Sequence, residues 1–140
     1  MRMPPSVFAR FRRNNRSEDQ APDSEAHTGP APVSDLTDGD FFDSLDGHAT
    51  IIDFWAPWCG PCKVLHPVFD ELAHVHAGDG LNFARLNVDE SRMVAPALGI
   101  MSIPTIMLCD LKGNEVDRLV GMPDRRRLED LIARAKGLSA

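Results

Sequence analysis

The sequence is poor in cysteine, lacks long hydrophobic runs and carries no excess of basic residues. Three cysteines in 140 residues, an odd and small number, do not fit the disulfide framework of a secreted domain. No apolar run approaches the roughly 18 residues that a membrane-spanning helix requires. The formal net charge of −6 disfavours general nucleic-acid binding, so we expect neither a membrane nor a nucleic acid as partner. The chain is long enough for one domain with a proper hydrophobic core.

Residues 1–33 differ in composition from the rest of the chain. The first sixteen residues hold five arginines and no acidic residue, whereas residues 17–33 are acidic and rich in Pro, Ala and Ser. Neither part has a sustained apolar period or the hydrophobic stretch of a signal peptide, so we predict a disordered extension before a domain at 34–140. A cytoplasmic location is the main expectation, and an organellar transit peptide, which is also Arg-rich, is the alternative. A nucleic-acid or membrane tether formed by the same arginines is a weaker alternative.

The remainder of the chain alternates between helical and strand patterns. Helices are predicted after the capping pair Thr37 and Asp40, at 59–77, at 90–98 and after Asp124. Strands are predicted at 50–55, 81–88, 104–109 and 115–120. The order helix, strand, helix, strand, helix, strand, strand, helix predicts an α/β domain in which a central mixed β-sheet carries helices on both faces.

The segment Cys59-Gly60-Pro61-Cys62 lies where the predicted strand 50–55 gives way to a helix. Two cysteines at this spacing can close a disulfide ring or share a metal ion. A helix N-terminus lowers the pKa of a thiol, because the unpaired N–H groups of the first turn stabilise a thiolate, and proline is tolerated there. Cys59 is therefore predicted to attack a substrate disulfide, and Cys62, one turn into the helix, to resolve the mixed disulfide.

Asp53 is a carboxylic acid in an otherwise apolar predicted strand. Burial of its charge is costly and raises its pKa towards neutrality, so a buried Asp53 could accept the proton of Cys62 in the resolving step. The alternative is an aspartate that faces solvent at a strand edge. Arg85 alternates with apolar residues in the strand 81–88. It either leans towards Asp53 and lowers the pKa of that carboxyl group, or lies on the surface.

Pro104 opens a predicted strand after a loop, a position that suits a cis peptide bond. A cis Pro104 would leave the backbone of Ile103 free to pair with an extended substrate segment, as an added strand does. Cys109, at the end of that strand, is interpreted as a small core residue, with a regulatory thiol as the alternative.

These residues together resemble the thioredoxin family. The likeness is carried by Asp53-Phe54-Trp55-Ala56-Pro57-Trp58-Cys59-Gly60-Pro61-Cys62-Lys63, Pro67, Asn87-Val88-Asp89, Gly99-Ile100, Ile103-Pro104-Thr105, Gly113 and Gly121, and it covers roughly residues 34–138. It implies the thioredoxin fold and a protein-disulfide reductase. In such a protein Cys59 is nucleophilic, Cys62 resolves, Asp53 is buried and Pro104 is cis.

The resemblance also implies partners and a substrate surface. The electron donor of the family is usually a flavin-containing thioredoxin reductase that uses NADPH, and the substrates are proteins with disulfides. No cofactor is implied beyond the Cys59–Cys62 disulfide, and a monomer is expected. The implied substrate-binding residues are Trp58, Gly60, Pro61, Ile103, Pro104, Gly121 and Met122.

Two positions depart from the most frequent family pattern. Arg85 stands where many members have lysine. Ser102 replaces a frequent glycine, as in the bacterial second-type thioredoxins, whose corresponding segment is similar to residues 103–107 here. Those proteins often carry an N-terminal zinc ribbon with two more Cys-x-x-Cys pairs. Residues 1–33 contain no cysteine, so no such ribbon is expected there.

Three other functions remain open. Cys59, Cys62 and His66 could serve as metal ligands, but a structural zinc site needs a fourth ligand, so we expect no metal and interpret His66 as a polar or partly buried helix residue. A thioredoxin-fold binding or chaperone module is the second, although such degenerate members usually lose a cysteine. A disulfide isomerase or oxidase is the third, and Gly-Pro between the cysteines favours the reducing end instead. The sequence thus predicts a soluble protein-disulfide reductase.

Overall fold

The computed structural model describes residues 32–139. Its elements in chain order are β1 (Val33–Leu36), α1 (Phe41–Ser44), β2 (Thr50–Trp55), α2 (Gly60–Val75), β3 (Asn82–Asn87), α3 (Val94–Ala97), β4 (Thr105–Cys109), β5 (Glu115–Val120) and α4 (Arg125–Ser139). The five strands of this described part form one sheet in the order β1-β3-β2-β4-β5. Strands β1 and β2 run parallel to β3, whereas β4 is antiparallel to both β2 and β5. The predicted mixed sheet of an α/β domain is confirmed.

The two faces of the sheet bury two separate hydrophobic cores. Alternate residues of a strand point to opposite faces, and in β2 Ile51 packs with α2 and α4, whereas Ile52 and Phe54 pack with α1 and α3. The helical members of the first core include Leu65, Phe69, Leu72, Leu128, Leu131 and Ile132, and those of the second include Phe41, Val94 and Ala95. Helices therefore cover both faces. Asp53, between Ile52 and Phe54, points to the face that carries α2 and α4.

Strand β1 is missing from the sequence-based prediction, which has four strands. Val33–Leu36 pairs in parallel with β3 at the edge of the sheet. The strand has only four residues, and Ser34 and Asp35 are exposed, so it shows little apolar pattern. The predicted disorder of residues 1–33 falls outside the described residues except at its end, where Val33 already belongs to β1.

The predicted helix at 90–98 is wrong in length, since α3 has four residues. A helix that began as predicted would place Pro96 in its interior, where proline clashes with the preceding turn, whereas in α3 Pro96 lies in the first turn and is tolerated. The start of α3 is held by the carboxylate of Asp38, which accepts the N–H groups of Met93 and Val94 at 3.1 and 3.0 Å. The residues just before α3 therefore form a turn, which is held by the hydrogen bonds to Asp38 in the loop after β1.

The predicted capping residues are found at the start of α4 and, in part, at the start of α1. At α4 the Asp124 carboxylate accepts the N–H of Arg127 at 2.8 Å, which is the interaction of an N-cap residue. At α1 the Asp40 carboxylate accepts the N–H of Thr37 at 2.7 Å, so the backward half of the predicted capping box forms. The helix itself begins after Asp40 and not after Thr37.

Candidate active site

The segment Cys59–Cys62 lies at the N-terminus of α2, as predicted. Cys59 is the N-cap residue: its backbone is extended, with φ −86° and ψ 106°, and its Sγ accepts the N–H of Cys62 at 3.2 Å. Pro61 lies in the first turn, where backbone N–H groups have no partner within the helix in any case. The sulfur of Cys59 thus occupies the end of the helix that favours negative charge, which stabilises a thiolate there after reduction.

The sulfurs of Cys59 and Cys62 are joined in a disulfide, with the two Cα atoms 5.3 Å apart. Cys62 is completely buried, whereas Cys59 keeps 4 % of its surface exposed. Cys59 is the residue of the pair that retains any exposed surface, so an approaching substrate disulfide meets it before Cys62. The greater burial of Cys62 and the N-cap position of Cys59 favour the attacking role for Cys59 and the resolving role for Cys62.

An open groove of about 580 Å³ is lined by Trp58, next to the cysteine pair, and by Ile103. The helix α3 contributes Ala95 and Pro96 to the same lining. Two large apolar side chains of the groove are open to solvent, since Trp58 is 69 % and Met101 is 95 % exposed. Exposed apolar side chains gathered in one place are typical of a protein-binding surface.

The seven residues predicted to bind substrate come from three segments. Trp58, Gly60 and Pro61 lie at the start of α2, Ile103 and Pro104 lie before β4, and Gly121 and Met122 follow β5. The peptide bond between Ile103 and Pro104 is cis, as predicted. The carbonyl of Pro104 accepts the N–H of Gly121 at 2.9 Å, which joins the second segment to the third. Trp58 and Ile103 share the groove, so the first segment adjoins the second.

Asp53 is fully buried on the face of β2 that meets α2. Its Oδ2 lies 3.6 Å from Nε2 of His66 and 4.0 Å from Nε of Arg85. These two nitrogens and both carboxyl oxygens are buried without a hydrogen-bond partner among the described residues. Buried polar atoms without partners are rare and costly, so a cluster of them indicates a functional site.

Burial raises the pKa of Asp53 from 3.8 to about 7. The guanidinium of Arg85 opposes this rise in pKa, and the carboxylate of Asp70 adds to it. The predicted burial of Asp53 and the predicted rise of its pKa towards neutrality are both confirmed. A carboxyl group with such a pKa can accept and release a proton near pH 7, which an ordinary aspartate does poorly.

Arg85 points towards Asp53 and not into solvent, which decides between the two alternatives left by the sequence. The two residues are register partners on β3 and β2, and the Arg85 side chain is only 13 % exposed. Its Nη2 donates to Oδ1 of Asp70 on α2 at 2.7 Å, and its guanidinium carbon lies 5.8 Å from the centre of the Phe69 ring. The cation is thus held between a buried and a partly exposed carboxyl group.

His66 lies one turn after Cys62 on α2, so the two side chains share one face of the helix. The side chain is 21 % exposed, and its ring makes a T-shaped contact with the ring of Trp55, with 4.6 Å between the ring centres. Burial and the charge of Arg85 both lower the pKa of His66, so the ring is neutral at pH 7.

His66 and Asp70 belong to this cluster; the sequence indicated a polar or partly buried helix residue at His66 but not its contact with Asp53, and it did not indicate Asp70 at all. The spacing of Cys62, His66 and Asp70, four residues apart on one helix, is the signal that could have found them, because such residues lie one above the other. Spacing alone could not show that β2 and β3 place Asp53 and Arg85 opposite this column.

Cys109 is buried in β4 and forms no disulfide. Burial raises the pKa of its thiol to about 11, and the carboxylates of Glu115 and Asp110 add to the rise. A buried thiol that stays protonated is a poor nucleophile. Its position agrees with the interpretation of Cys109 as a core residue.

The three residues considered as metal ligands are not arranged to share a metal ion. The sulfurs of Cys59 and Cys62 are bonded to each other, and Nε2 of His66 faces Asp53. Between residues 32 and 139, no group of three or more His, Cys, Asp or Glu side chains is placed to hold a metal ion. None of the helices in this part combines the length and apolar character needed to cross a bilayer.

Sequence comparisons relate this chain to proteins of known family. The model of the family described as Thioredoxin matches residues 32–134. A thioredoxin of Alicyclobacillus acidocaldarius is 42 % identical over 99 residues, which cover 70 % of this chain and 92 % of that protein. A thioredoxin of Staphylococcus saprophyticus is 39 % identical over 97 residues, which cover 69 % of this chain and 91 % of that protein.

A solved structure gives the same result for the fold. The crystal structure of the thioredoxin Mala s 13 of Malassezia sympodialis superposes with a TM-score of 0.68 at 34 % sequence identity. The superposition covers 79 % of this chain and 96 % of that one. The span matched by the family model, residues 32–134, includes every residue of the site described above.

Proposed function

The chain belongs to the thioredoxin family, and we propose that Cys59 opens the disulfides of its protein substrates and that Cys62 resolves the mixed disulfide. The protein is a thiol-disulfide oxidoreductase of the protein-disulfide reductase type. The observation that carries the assignment of roles is the disulfide at the N-terminus of α2, in which Cys59 is the N-cap residue and retains a little exposed surface, whereas Cys62 retains none.

The first step is attack by the reduced protein. The thiolate of Cys59, stabilised by the N–H groups of the first turn of α2, attacks one sulfur of a substrate disulfide. A bond forms between Cys59 and that sulfur, and the substrate disulfide breaks. The second substrate sulfur leaves as a thiolate and takes a proton from water. The product is a mixed disulfide between Cys59 and the substrate.

The second step releases the substrate. Cys62 loses its proton, and its thiolate attacks the sulfur of Cys59. The Cys59–Cys62 disulfide closes, and the bound substrate sulfur leaves as a thiolate that is then protonated. The two electrons of the dithiol have now passed to the substrate, and the protein is left in the oxidised form seen in the structure.

Asp53 is the proposed base for Cys62. Its pKa of about 7 suits proton transfer near neutrality. Its side chain faces α2, where His66, one turn after Cys62, approaches to 3.6 Å. Cys62 and Asp53 are therefore on the same side of the sheet, and both are completely buried.

The proposed substrate surface is the rim around Cys59. An extended substrate segment would lie in the groove between Trp58 and Ile103 and pair with the backbone of Ile103 as an added strand. The exposed ring of Trp58 and the half-exposed side chain of Met122 supply apolar contacts. The remaining residues proposed for this surface are Gly60, Pro61, Pro104 and Gly121.

The proposed partners follow from the family. We propose that a flavin-containing thioredoxin reductase with NADPH returns Cys59 and Cys62 to the dithiol, and that the protein acts as a monomer. The redox-active disulfide is the proposed sole redox group. A cytoplasmic location is proposed because a protein that reduces disulfides needs a compartment that keeps thiols reduced.

Reduction of insulin by dithiothreitol, followed as turbidity, tests the proposed activity. The wild-type protein is expected to accelerate precipitation, and Cys59→Ser to show no acceleration. The redox potential of the Cys59–Cys62 couple then separates a reductase from an isomerase, since an isomerase needs a more oxidising couple. Failure of the wild-type protein to accelerate insulin reduction would overturn the proposal.

A further inference from the structure

His66 lies between the fully buried carboxyl group of Asp53 and the surface of the protein. Asp53 has no exposed surface and no hydrogen-bond partner among the described residues. If it accepts the proton of Cys62 in every catalytic cycle, it must lose that proton before the next. A base closed off from water therefore needs a route to solvent.

We propose that His66 carries protons between Asp53 and solvent. The proposal rests on the role of Asp53 as the base for Cys62. Nε2 of His66 is buried and lies 3.6 Å from Oδ2 of Asp53, while 21 % of the side chain is exposed. A shift of the ring by about half an ångström would bring the two atoms to hydrogen-bond distance. One side of the imidazole thus meets the carboxyl group, and another part meets water.

Of the two basic side chains in residues 32–139 with a nitrogen within 4.0 Å of the Asp53 carboxyl group, only His66 can both accept and release a proton. Arg85 holds all its protons at any ordinary pH, so it can tune Asp53 but cannot accept from it. The imidazole has two nitrogens, and one can accept a proton while the other releases one.

The transfer moves one proton from Asp53 to water and leaves the charge of the His66 ring unchanged. Protonated Asp53 donates its proton to Nε2 of His66, and the proton on Nδ1 passes to water. Asp53 becomes a carboxylate, and the ring changes from the Nδ1–H tautomer to the Nε2–H tautomer. In this tautomer Nε2–H donates to the carboxylate, so the ring suits both protonation states of Asp53. The ring is reset when the His66 side chain turns so that Nε2 meets solvent, where Nε2–H gives its proton to water and Nδ1 takes one up, before the ring turns back.

The charges around His66 favour this neutral form. Asp53 faces it from β2, Arg85 from β3, Asp35 from β1 and Asp70 from its own helix. Burial and Arg85 lower the pKa of the ring, and the carboxylates of Asp70 and Asp35 raise it less. The ring therefore exchanges protons as a neutral group and does not remain charged beside Asp53.

A pH jump isolates the resolving step. A mixed disulfide between Cys59 and thionitrobenzoate, made at acidic pH, releases the coloured thiol when Cys62 attacks at pH near 7, the pKa of Asp53. The experiment is run at low buffer concentration with His66→Ala and with His66→Gln, which keeps the volume of the side chain but does not titrate. His48→Ala, in an exposed loop, is the matched control. Melting temperatures show whether each variant is folded.

Both His66 variants are expected to release the thiol roughly tenfold more slowly than wild type, a smaller loss than removal of a direct general base, and His48→Ala is expected to release it at the wild-type rate. Added imidazole or concentrated buffer is expected to restore the rate of His66→Ala. In an Asp53→Asn background, removal of His66 is expected to cause no further change in the rate of thiol release.

Three outcomes overturn the inference. If Asp53→Asn is slow while both His66 variants match wild type, Asp53 is a base that does not use His66. If the His66 variants are slow but neither imidazole nor buffer changes their rate, His66 has a structural role only. If Asp53→Asn itself matches wild type, the base assignment falls, and the proton route falls with it.

Discussion

Asp53 and Arg85 are register partners on neighbouring parallel strands, and Oδ2 of the carboxyl group lies 4.0 Å from Nε of the guanidinium. The same guanidinium donates to Asp70 from its Nη2 at 2.7 Å. One cation is therefore shared between a carboxyl group buried beneath the active site and another near the surface. The pKa of Asp53 therefore depends on how strongly Arg85 interacts with Asp53 and with Asp70.

Arg85→Gln is expected to raise the pKa of Asp53 above its value of about 7, because the cation that opposes burial is removed. Asp70→Asn is expected to lower the same pKa, because a nearby carboxylate is removed. Titration of the Asp53 carboxyl carbon by NMR measures both shifts.

The matched control is Arg125→Gln. Arg125 pairs with Glu71 on the surface, with 47 % and 51 % of the two side chains exposed. Its removal is expected to leave the pKa of Asp53 unchanged. Shifts of the same sign in Arg85→Gln and Asp70→Asn would contradict the shared-cation arrangement.

Asp53→Asn is expected to stabilise the protein, and more so as the pH rises. The folded pKa of Asp53 is about 7 and its ordinary value is 3.8, so the unfolded chain ionises first. Below the lower value both states are protonated and there is no penalty. Between the two values the wild type loses stability as the pH rises, and above about 7 the full penalty of about 4 kcal/mol is present.

Urea unfolding of wild type and Asp53→Asn from acidic to alkaline pH measures this effect. The difference in free energy of unfolding should grow between the two pKa values and then level off. A difference that does not change with pH would show that Asp53 is not buried as a titrating group.

Cys62→Ser is expected to trap a substrate on Cys59, because the mixed disulfide forms but the resolving thiol is absent. Mass spectrometry of the variant after mixing with a disulfide peptide should show a covalent adduct at Cys59. Cys109→Ser is the matched control and should turn over like wild type, since the Cys109 thiol is buried and its pKa is about 11. Normal turnover by Cys62→Ser would remove it from the mechanism.

Two truncations test the boundary of the folded domain. Deletion of residues 1–31 is expected to leave the free energy of unfolding unchanged, as their composition predicts disorder. Deletion of residues 1–36 also removes β1 and the buried Leu36, and should lower that free energy by about 2 kcal/mol or more. Thermal or urea unfolding compares the two. Equal stability of both truncations would contradict a structural role for β1.

Much of the fold could be predicted because local patterns and tertiary structure agree. The runs 50–55 and 115–120 coincide with β2 and β5, since each is rich in strand-forming residues and ends in a turn. Strand β1 was missed because its pairing with β3 is a tertiary contact that no local pattern announces. Helix α3 was predicted too long because the residues before Val94 are held by Asp38, a contact that is distant in the sequence and leaves no local pattern.

The chemistry of the site was predictable where one residue carries it. The spacing of Cys59 and Cys62 identifies them in the sequence, and the apolar neighbours of Asp53 in the strand identify that residue. The contacts of His66 and Asp70 with this site were not predicted, because they depend on which face of α2 meets the sheet and on the position of Arg85. The orientation of Arg85 likewise depends on the register of β2 against β3.

The carboxylate of Asp38 has a consequence for substrate recognition. It holds the N–H groups at the start of α3, 55 positions later in the chain, and α3 supplies Ala95 and Pro96 to the groove beside Trp58. Asp38 is not itself part of the groove lining. If the groove binds substrates as proposed, a substitution at Asp38, in the loop after β1, is expected to change which proteins are reduced although Asp38 itself contacts none of them.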